Sequence, residues 1–308
     1  VGMEMPGRQA LFADLKIEFT PAPAAAQLRL ALQPAEFDDR FNRYSQTGAG
    51  PGIGKITLSA FRRPLPVDFP LDTVPAFDPA RLPLAGRTAF ISGAARGFGA
   101  VLARACMRAG AQVAINYRGD AGAAEALCAE LLRAGGAART FAADMGEPAS
   151  VAALVDALRD WSGAIDLVFD NAAPPIRELL LQEQSDADWL EFVRQNLAIT
   201  LNSARQLLPL MREGGRFVHV SSKYLAEPVR GFSHYLAAKS AQSGLVRALA
   251  LEFGRCEFVI ARLPRILTDQ TNLPFSFDAP RDPRMVAHEL LMRLSAPSTG
   301  NLRILDLF

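Results

Sequence analysis

Residues 84–308 show a regular rhythm in which short apolar runs alternate with longer amphipathic stretches. The short runs predict strands at Thr88–Ser92, Gln112–Asn116, Thr140–Ala142, Asp166–Phe169, Arg216–Val220, Phe258–Ala261 and Leu302–Leu305. The longer stretches predict helices at Gly97–Ala109, Ala123–Arg133, Ala149–Trp161, Asp186–Met211, His234–Phe253 and Pro283–Leu294. Strands that alternate with helices indicate βαβ units and a parallel sheet covered on both faces. We therefore expect an α/β fold built on a doubly wound, seven-stranded sheet.

Residues 1–83 do not follow this rhythm. Pro, Gly and Asp separate three β-like runs there, at Ala10–Phe19, Gln27–Leu32 and Lys55–Phe61. Six prolines between Arg63 and Pro83 predict a stiff, extended connector with little helix or sheet of its own. The expected organisation is a β-rich N-terminal extension at 1–62, a Pro-rich linker at 63–83 and one α/β domain at 84–308.

Composition excludes several classes of function. The chain has 33 basic and 32 acidic residues and a net charge of +1, so nothing favours nucleic acid as a partner. No stretch approaches the ~20 apolar residues of a membrane span, and the N-terminus lacks the features of a signal peptide. Three scattered cysteines without metal-ligand spacing predict free thiols, no metal site and a cytoplasmic location. Since the chain starts with Val, a piece of a longer polypeptide is compatible with this composition.

A glycine-rich loop lies directly between the first predicted strand of the α/β domain and its first helix. It reads Gly93-Ala-Ala-Arg-Gly97-Phe98-Gly99. Glycines at this place allow a tight turn and a close approach of the backbone to a pyrophosphate, which the helix N-terminus attracts. The strand–loop–helix context favours phosphate binding over a plain turn, and it predicts a Rossmann-like dinucleotide site.

The end of the second strand indicates which nicotinamide cofactor binds. An acidic residue there would bind the ribose 2′-hydroxyl and repel a 2′-phosphate, but this strand ends Asn116-Tyr117-Arg118. Arg96 and Arg118 are candidate cations for the phosphate, so we expect NADP(H); the alternative is that both are solvated surface residues. Asp144 would flank the adenine and Asn171 would steady the loop beside the ribose, the alternatives being a capping Asp and a turn Asn.

Four residues further along suit proton transfer to a carbonyl oxygen. Tyr235 and Lys239 share one helix face a single turn apart, and Ser222 and Asn196 precede them. A cation within about 4–6 Å favours the phenolate form of a Tyr, and this lowers the Tyr pKa toward the working range of an acid or base. His219 and the neighbouring His234 are interpreted as structural.

Together these motifs resemble the short-chain dehydrogenase/reductase family over residues 84–308. Ser92 to Gly99 is similar to its T-G-x-x-x-G-x-G loop, and Asp170-Asn171-Ala172-Ala173 is similar to its N-N-A-G, altered at the first and last positions. The resemblance implies a catalytic tetrad, in which Tyr235 donates a proton, Ser222 holds the substrate oxygen, Lys239 assists Tyr235 and binds the ribose, and Asn196 holds a water. Thr268 matches the family's nicotinamide-side Thr.

Two departures lie near the expected nicotinamide. Arg265 replaces part of the family's usual Pro-Gly, and only Asp269 to Asp282 form the segment that normally covers the substrate. Neither departure removes a catalytic group.

With its Arg, the glycine loop resembles that of NADPH-dependent reductases, which act on 3-oxoacyl thioesters carried on acyl carrier protein or coenzyme A. The N-terminal stretch, with Val1–Gly7, Ala10–Phe19 and Asp39-Arg40-Phe41, resembles part of a hot-dog-fold dehydratase domain, which also handles acyl thioesters. The partners implied are an acyl thioester substrate, acyl carrier protein, and either further copies in a homo-oligomer or a multidomain synthase.

Two other interpretations stay open. One is a dehydrogenase of sugars, steroids or small alcohols within the same family. The other is a non-catalytic nucleotide-binding module of a synthase, which Arg265 and the short covering segment favour and the complete tetrad opposes.

Overall fold

The computed structural model describes residues 10–21, 29–62, 67–78, 80–82, 84–269, 271, 279–297 and 300–308. The described residues fall into two compact units. One comprises those within Val1–Val67 and Thr271–Ala279, and the other those within Asp68–Gln270 and Pro280–Phe308. The stretch Val1–Gly7 and most of the segment from Asp269 to Asp282 lie outside the described residues.

The first unit is an antiparallel sheet of five strands, which confirms the predicted β-rich extension. Its strands are β1 (Ala10–Phe19), β2 (Ala31–Leu32), β3 (Glu36–Asp38), β4 (Arg43–Gly50) and β5 (Ile53–Arg62). They pair in the order β1-β5-β4-β2, and β3 also pairs with β4. A two-residue turn joins β4 to β5, and Gly52 in it has a φ of 80°, which glycine adopts readily.

The second unit contains seven strands, which pair in parallel. They are β6 (Thr88–Ile91), β7 (Gln112–Tyr117), β8 (Ala138–Ala142), β9 (Ile165–Asp170), β10 (Met211–Ser222), β11 (Glu257–Leu263) and β12 (Leu302–Asp306). The order across the sheet is β12-β11-β10-β9-β6-β7-β8. The predicted doubly wound, Rossmann-like α/β fold is therefore confirmed.

Six helices cover the two faces of this sheet. They are α1 (Gly97–Arg108), α2 (Ala121–Arg133), α3 (Pro148–Ser162), α4 (Asp186–Leu207), α5 (Ser233–Glu252) and α6 (Pro283–Ser295). Buried residues of α1, α2 and α6 share one core with the sheet, and those of α3, α4 and α5 share the other. Because both faces are buried, the strands read as continuous apolar runs in the sequence. None of the helices in the described part of the chain is long and apolar enough to cross a membrane.

Helix α4 is shorter than its hydrophobic pattern predicts. It ends at Leu207, a 3₁₀ turn follows at Leu208–Leu210, and Met211 already begins β10. Pro209 has no N–H to donate and its ring clashes with the preceding turn, so an α-helix cannot continue through it.

Part of the Pro-rich connector packs against the α/β core. Residues Leu71–Thr73 form a 3₁₀ turn, and Val74, Phe77 and Leu82 are only 2, 8 and 3% exposed. The backbone N–H of Leu71 donates to Oε1 of Glu130 on α2 at 2.8 Å. The section from Asp68 onward thus differs from the extended tether expected for it, because its apolar side chains between the prolines are buried. The three-part division of the chain stays a prediction.

Candidate active site

Several of the predicted site residues follow the carboxyl ends of central strands in the parallel sheet. Strands β6, β9 and β10 are close neighbours in it, and the direction of strand addition reverses between β6 and β9. Ligands of doubly wound sheets bind in the crevice that opens at such a reversal, outside the carboxyl ends of the strands. The loops after β6 and β9 and the end of β10 all carry candidate residues.

The glycine loop leads from β6 into α1. Gly93 and Gly97 have φ angles of 64° and 58°, in the left-handed region that favours glycine. A Cβ on Gly99 would lie 2.8 Å from Nδ2 of Asn171 and closer still to the carbonyl oxygen of Gly93. The loop therefore leaves no room for a side chain at Gly99, in the first turn of the helix.

Neighbouring strands hold this loop in place. The Asn116 side-chain oxygen, on β7, accepts a hydrogen bond from the N–H of Gly93 at 3.1 Å. Asn171 donates through Nδ2 to the carbonyl oxygens of Ser92 and Gly93 at 3.0 and 3.3 Å. The Ser92 hydroxyl accepts from the backbone N–H groups of Asn171 and Ala172, both at 2.9 Å. The turn is thus preformed by the protein itself.

This arrangement fits a dinucleotide pyrophosphate. Helix α1 begins at Gly97, and the first N–H groups of a helix have no partner within it and carry the positive end of its dipole. A preformed, glycine-rich turn at a helix N-terminus is the usual pyrophosphate site of doubly wound folds. Thr268 lies beside the same loop, because a Cβ on Gly97 would be 3.7 Å from its Cγ2.

The other candidate cofactor-binding residues differ in their exposure and in their ion pairs. Arg96 is exposed at the N-terminal end of α1, and Tyr117 is half-buried at the end of β7. Phe98 is buried in the core, which leaves its backbone for contact with a cofactor. Arg118 forms an ion pair with Asp144 at 3.5 Å, and the same carboxylate caps the turn that follows it. Arg118 is thus already paired with a carboxylate, whereas Arg96 forms no ion pair among the described residues.

The four predicted catalytic residues come from three elements. Ser222 ends β10, Tyr235 and Lys239 lie one turn apart on α5, and Asn196 lies in α4. All four are buried, from 0% exposed for Asn196 to 9% for Tyr235. Gln242 ties the two helices together, because its Nε2 donates to the carbonyl oxygen of Asn196 at 2.9 Å.

Burial dominates the acid–base properties of Tyr235 and Lys239. It raises the pKa of Tyr235 to about 12, and a hydrogen bond with Ser222 acts in the opposite direction. It lowers the pKa of Lys239 to about 8, against the effect of the negative charge on Asp170. The Nζ of Lys239 donates to the carbonyl oxygen of Val220 at 2.9 Å. The expected lowering of the Tyr235 pKa by Lys239 is therefore wrong for this structure, because burial outweighs the opposing effect.

Two further rings flank Tyr235. The ring centroids of Tyr224 and Phe232 lie 6.4 and 6.3 Å from that of Tyr235 and 5.5 Å from each other. Both side chains are half-buried. The candidate proton donor is thus bordered by aromatic surface, which suits contact with a flat or apolar substrate.

Sequence reasoning missed a buried pair behind the tetrad. Asp170 ends β9, and His219 lies opposite it on β10, with 2.9 Å between Oδ2 of Asp170 and Nδ1 of His219. The available signal was the carboxylate at the first position of Asp170-Asn171-Ala172-Ala173, where the family pattern has Asn. His234, by contrast, packs its ring against Phe192.

Comparisons with known proteins agree with this geometry. A family model described as short chain dehydrogenase matches residues 87–265. The chain is similar to a hydroxynaphthalene reductase from Aspergillus fumigatus, with 31% identity over 56% of the chain and 63% of the relative. It is also similar to a D-threitol dehydrogenase from Mycolicibacterium smegmatis, with 34% identity over 56% of the chain and 66% of the relative. The match thus spans less than two thirds of the length of these curated relatives.

A solved structure with the same architecture is a short chain dehydrogenase from Burkholderia cenocepacia in complex with NADP. It has a TM-score of 0.65 and 26% identity to the present chain. The superposition covers 72% of this chain and 97% of that one.

Proposed function

Because the chain belongs to the short-chain dehydrogenase family, we propose that it is an NADPH-dependent reductase that converts a carbonyl group to an alcohol. The observation that carries this proposal is the position of Ser222 at the end of β10, where its hydroxyl is close enough to Tyr235 of α5 to lower the pKa of that phenol. Lys239 follows one turn later on the same helix. A hydroxyl, a phenol and an ammonium beside a pyrophosphate-binding loop are the parts that this reaction requires.

The cofactor contacts follow from the glycine loop. Its backbone and the start of α1 bind the pyrophosphate, and Arg96 binds the 2′-phosphate, which no carboxylate at the end of β7 repels. The remaining contacts that we propose are those of Gly93, Gly97, Phe98, Gly99, Tyr117, Arg118, Asp144, Asn171, Lys239 and Thr268. The NADP held by the similar Burkholderia protein supports this choice of cofactor.

When bound, NADPH supplies a hydride to the carbonyl carbon. Tyr235 donates its phenolic proton to the carbonyl oxygen, and Ser222 stabilises the negative charge that develops there. Lys239 in its ammonium form stabilises the phenolate that remains, since an adjacent cation favours the charged form of a Tyr.

Asn196 has a supporting role in returning a proton to this pair. Its Nδ2 donates to the carbonyl oxygen of Phe192 at 2.9 Å, and its buried Oδ1 has no hydrogen-bond partner among the described residues. That oxygen is an acceptor available to a water, which is the role the family resemblance implies. The proton would then reach Tyr235 through Lys239.

For the substrate we propose a 3-oxoacyl thioester on acyl carrier protein or coenzyme A, reduced to the 3-hydroxyacyl form. The glycine-loop Arg96 and the resemblance of the N-terminal extension to a hot-dog domain support this choice. The described part of that extension is an antiparallel sheet of five strands. Acyl carrier protein, together with further copies of the chain or other domains of a synthase, would be the partners.

A cyclic or aromatic ketone is the second candidate substrate. The rings of Tyr224 and Phe232 beside Tyr235 favour it, because a flat ring system can pack against them. The similarity to a hydroxynaphthalene reductase points in the same direction. The similarity to a D-threitol dehydrogenase favours instead a small polyol substrate.

An NADPH oxidation assay distinguishes these substrates. The set is acetoacetyl-coenzyme A, the same acyl group on acyl carrier protein, and a bicyclic aromatic ketone; threitol with NADP⁺ tests the reverse reaction. Tyr235→Phe serves as the control, since it removes the proton donor with little change in volume. We expect turnover to fall by roughly 100-fold or more in this variant. No turnover on any substrate, with the variant equal to wild type, contradicts the enzyme proposal and favours a non-catalytic module.

A further inference from the structure

A network of buried polar side chains lies between the sheet and helices α4 and α5, and it includes two members of the tetrad, Asn196 and Lys239. None of its members is more than 4% exposed. They are Asp170, Asn196, Thr200, His219, Lys239 and Gln242. Polar groups buried this completely lower stability unless they are well paired, so the pairing of each one is informative.

Asp170 is the centre of the network. Its Oδ2 accepts hydrogen bonds from Oγ1 of Thr200 at 2.6 Å and from Nδ1 of His219 at 2.9 Å. Gln242 continues the chain by donating to Oγ1 of Thr200 at 2.8 Å. Burial by itself raises the pKa of Asp170, but the bonds from His219 and Thr200 and the charge of Lys239 hold it below its usual value. The carboxyl group is therefore ionised.

His219 does not neutralise that charge. Burial lowers the pKa of its imidazole, the hydrogen bond to Asp170 opposes this, and the charge of Lys239 lowers it further. A neutral imidazole with its proton on Nδ1 satisfies the hydrogen bond to Asp170. The ring thus orients the carboxylate and leaves its negative charge in place.

Lys239 is the cation whose charge acts on Asp170. Its Nζ is bonded to the carbonyl oxygen of Val220, the residue after His219, and His219 is paired in register with Asp170. Among the described groups around them, Thr200 of α4 is bonded to Asp170, and Gln242 links Thr200 to Asn196; all three are uncharged. Tyr235 lies one turn before Lys239 on α5, and Tyr224 packs against its ring. The negative charge of Asp170 opposes the loss of the Lys239 proton that burial promotes.

The carboxylate is not needed for hydrogen bonding alone. An Asn side-chain oxygen accepts the same two bonds as Oδ2, and it avoids burying a charge. Oδ1 of Asp170 and Nε2 of His219 are buried without a hydrogen-bond partner among the described residues. Unsatisfied atoms of this kind lower stability, so the charge requires another explanation.

We propose that Asp170, which is buried between β10 and α4, is a positioning residue that acts as the counter-charge of Lys239 and keeps it in the ammonium form. Lys239 in that form is what the proposed proton transfer by Tyr235 requires, so the inference rests on the proposed function. It adds Asp170 to the working site.

Lysine NMR tests the counter-charge without any assay of activity. The sequence contains four lysines, so selective labelling at Cε yields a simple spectrum, in which Lys239→Arg identifies the signal of interest. We expect Asp170→Asn to lower the pKa of Lys239 by about one pH unit or more, since a nearby opposite charge contributes 1–3 units. Thr200→Val is the control, because it removes a hydrogen bond and leaves the charge; the Lys239 titration should stay close to that of wild type.

The pH profile of reductase activity is the second measurement. The limb on which activity falls with rising pH should move to lower pH by a similar amount in Asp170→Asn and should stay in place in Thr200→Val. Asp170→Ser also removes the charge and serves if the Asn variant does not fold. An unchanged Lys239 titration in folded Asp170 variants overturns the proposal, even if melting temperatures fall. A shifted titration in a protein without turnover supports the counter-charge and contradicts only the proposed function.

Discussion

Gly99→Ala tests directly whether the glycine loop is preformed for a cofactor. A Cβ at this position would meet the carbonyl oxygen of Gly93 and, at 2.8 Å, the Nδ2 of Asn171. Side-chain Cβ atoms essentially never approach other heavy atoms closer than 3.0 Å. The Gly93 contact is with backbone, which cannot rotate away, so the loop itself must move.

The expected cost is about 1–3 kcal/mol in the free energy of unfolding, which is typical of a methyl group forced into a packed site. Since 1 kcal/mol shifts the Tm of a large domain by about 2–4 °C, the Tm should fall by about 2–12 °C. The displaced N–H groups also lose their alignment with the pyrophosphate. We therefore expect the Kd for NADPH to rise at least tenfold, which is about 1.4 kcal/mol.

Thermal unfolding with and without NADPH, together with a fluorescence titration of NADPH, measures both effects. Gly122→Ala, at the start of α2, is the matched control, because a Cβ there has no heavy atom within 4 Å. It should retain the Kd of wild type and its Tm within about 2 °C, since Ala is the better helix former. A Gly99→Ala protein with wild-type Tm and wild-type Kd would refute the argument that this turn is closed to side chains.

Two further predictions concern charges. Arg96→Ala should raise the Michaelis constant for NADPH much more than that for NADH. Arg118→Ala should have a smaller effect on the same constants, because Arg118 is already paired with Asp144. Equal shifts for both cofactors in Arg96→Ala contradict the assignment of Arg96 to the 2′-phosphate. Burial raises the pKa of Glu130, but the Arg104 guanidinium and other donors hold it below its usual value. The ionised carboxylate therefore stabilises the protein fully above about pH 4.3, the usual pKa of a Glu. This stabilisation is lost as the pH falls through the lowered pKa of the folded protein. Glu130→Gln should therefore lower the free energy of unfolding by about 1 kcal/mol at pH 7 and by less in acid, as followed by denaturant unfolding; a difference that is the same at every pH contradicts this.

The α/β rhythm and the glycine loop could be predicted because both are local. Strands buried on both faces appear as apolar runs, and Gly93, Gly97 and Gly99 lie at one strand–helix junction. The predicted end of α4 at Met211 was wrong, because apolar residues continue past Leu207 and the helix-breaking effect of Pro209 was given too little weight. Strand β4, at Arg43–Gly50, was not predicted at all. Its sequence is polar and Gly-rich, and pairing with β5 on one side and with β2 and β3 on the other holds it in the sheet.

The four candidate catalytic residues could be singled out from their spacing together with the family resemblance, whereas their setting could not be predicted. Asp170 and His219 are 49 positions apart, and their contact depends on the register between β9 and β10. Register is a property of the assembled sheet, so a single sequence does not contain it in readable form. The same holds for the ion pair between Arg118 and Asp144, which makes two equal sequence candidates for the 2′-phosphate unequal in the structure.

The buried residues of the Pro-rich connector determine where a recombinant fragment of the α/β domain can begin. Val74, Phe77 and Leu82 are part of the apolar core on the α1 face, and Glu130 binds the backbone of Leu71. A recombinant fragment that starts at Leu84 would expose the surface these side chains cover and leave a carboxylate without its N–H donor. The smallest recombinant form of the α/β domain therefore starts near Asp68, and any transfer of this domain has to carry that part of the connector with it.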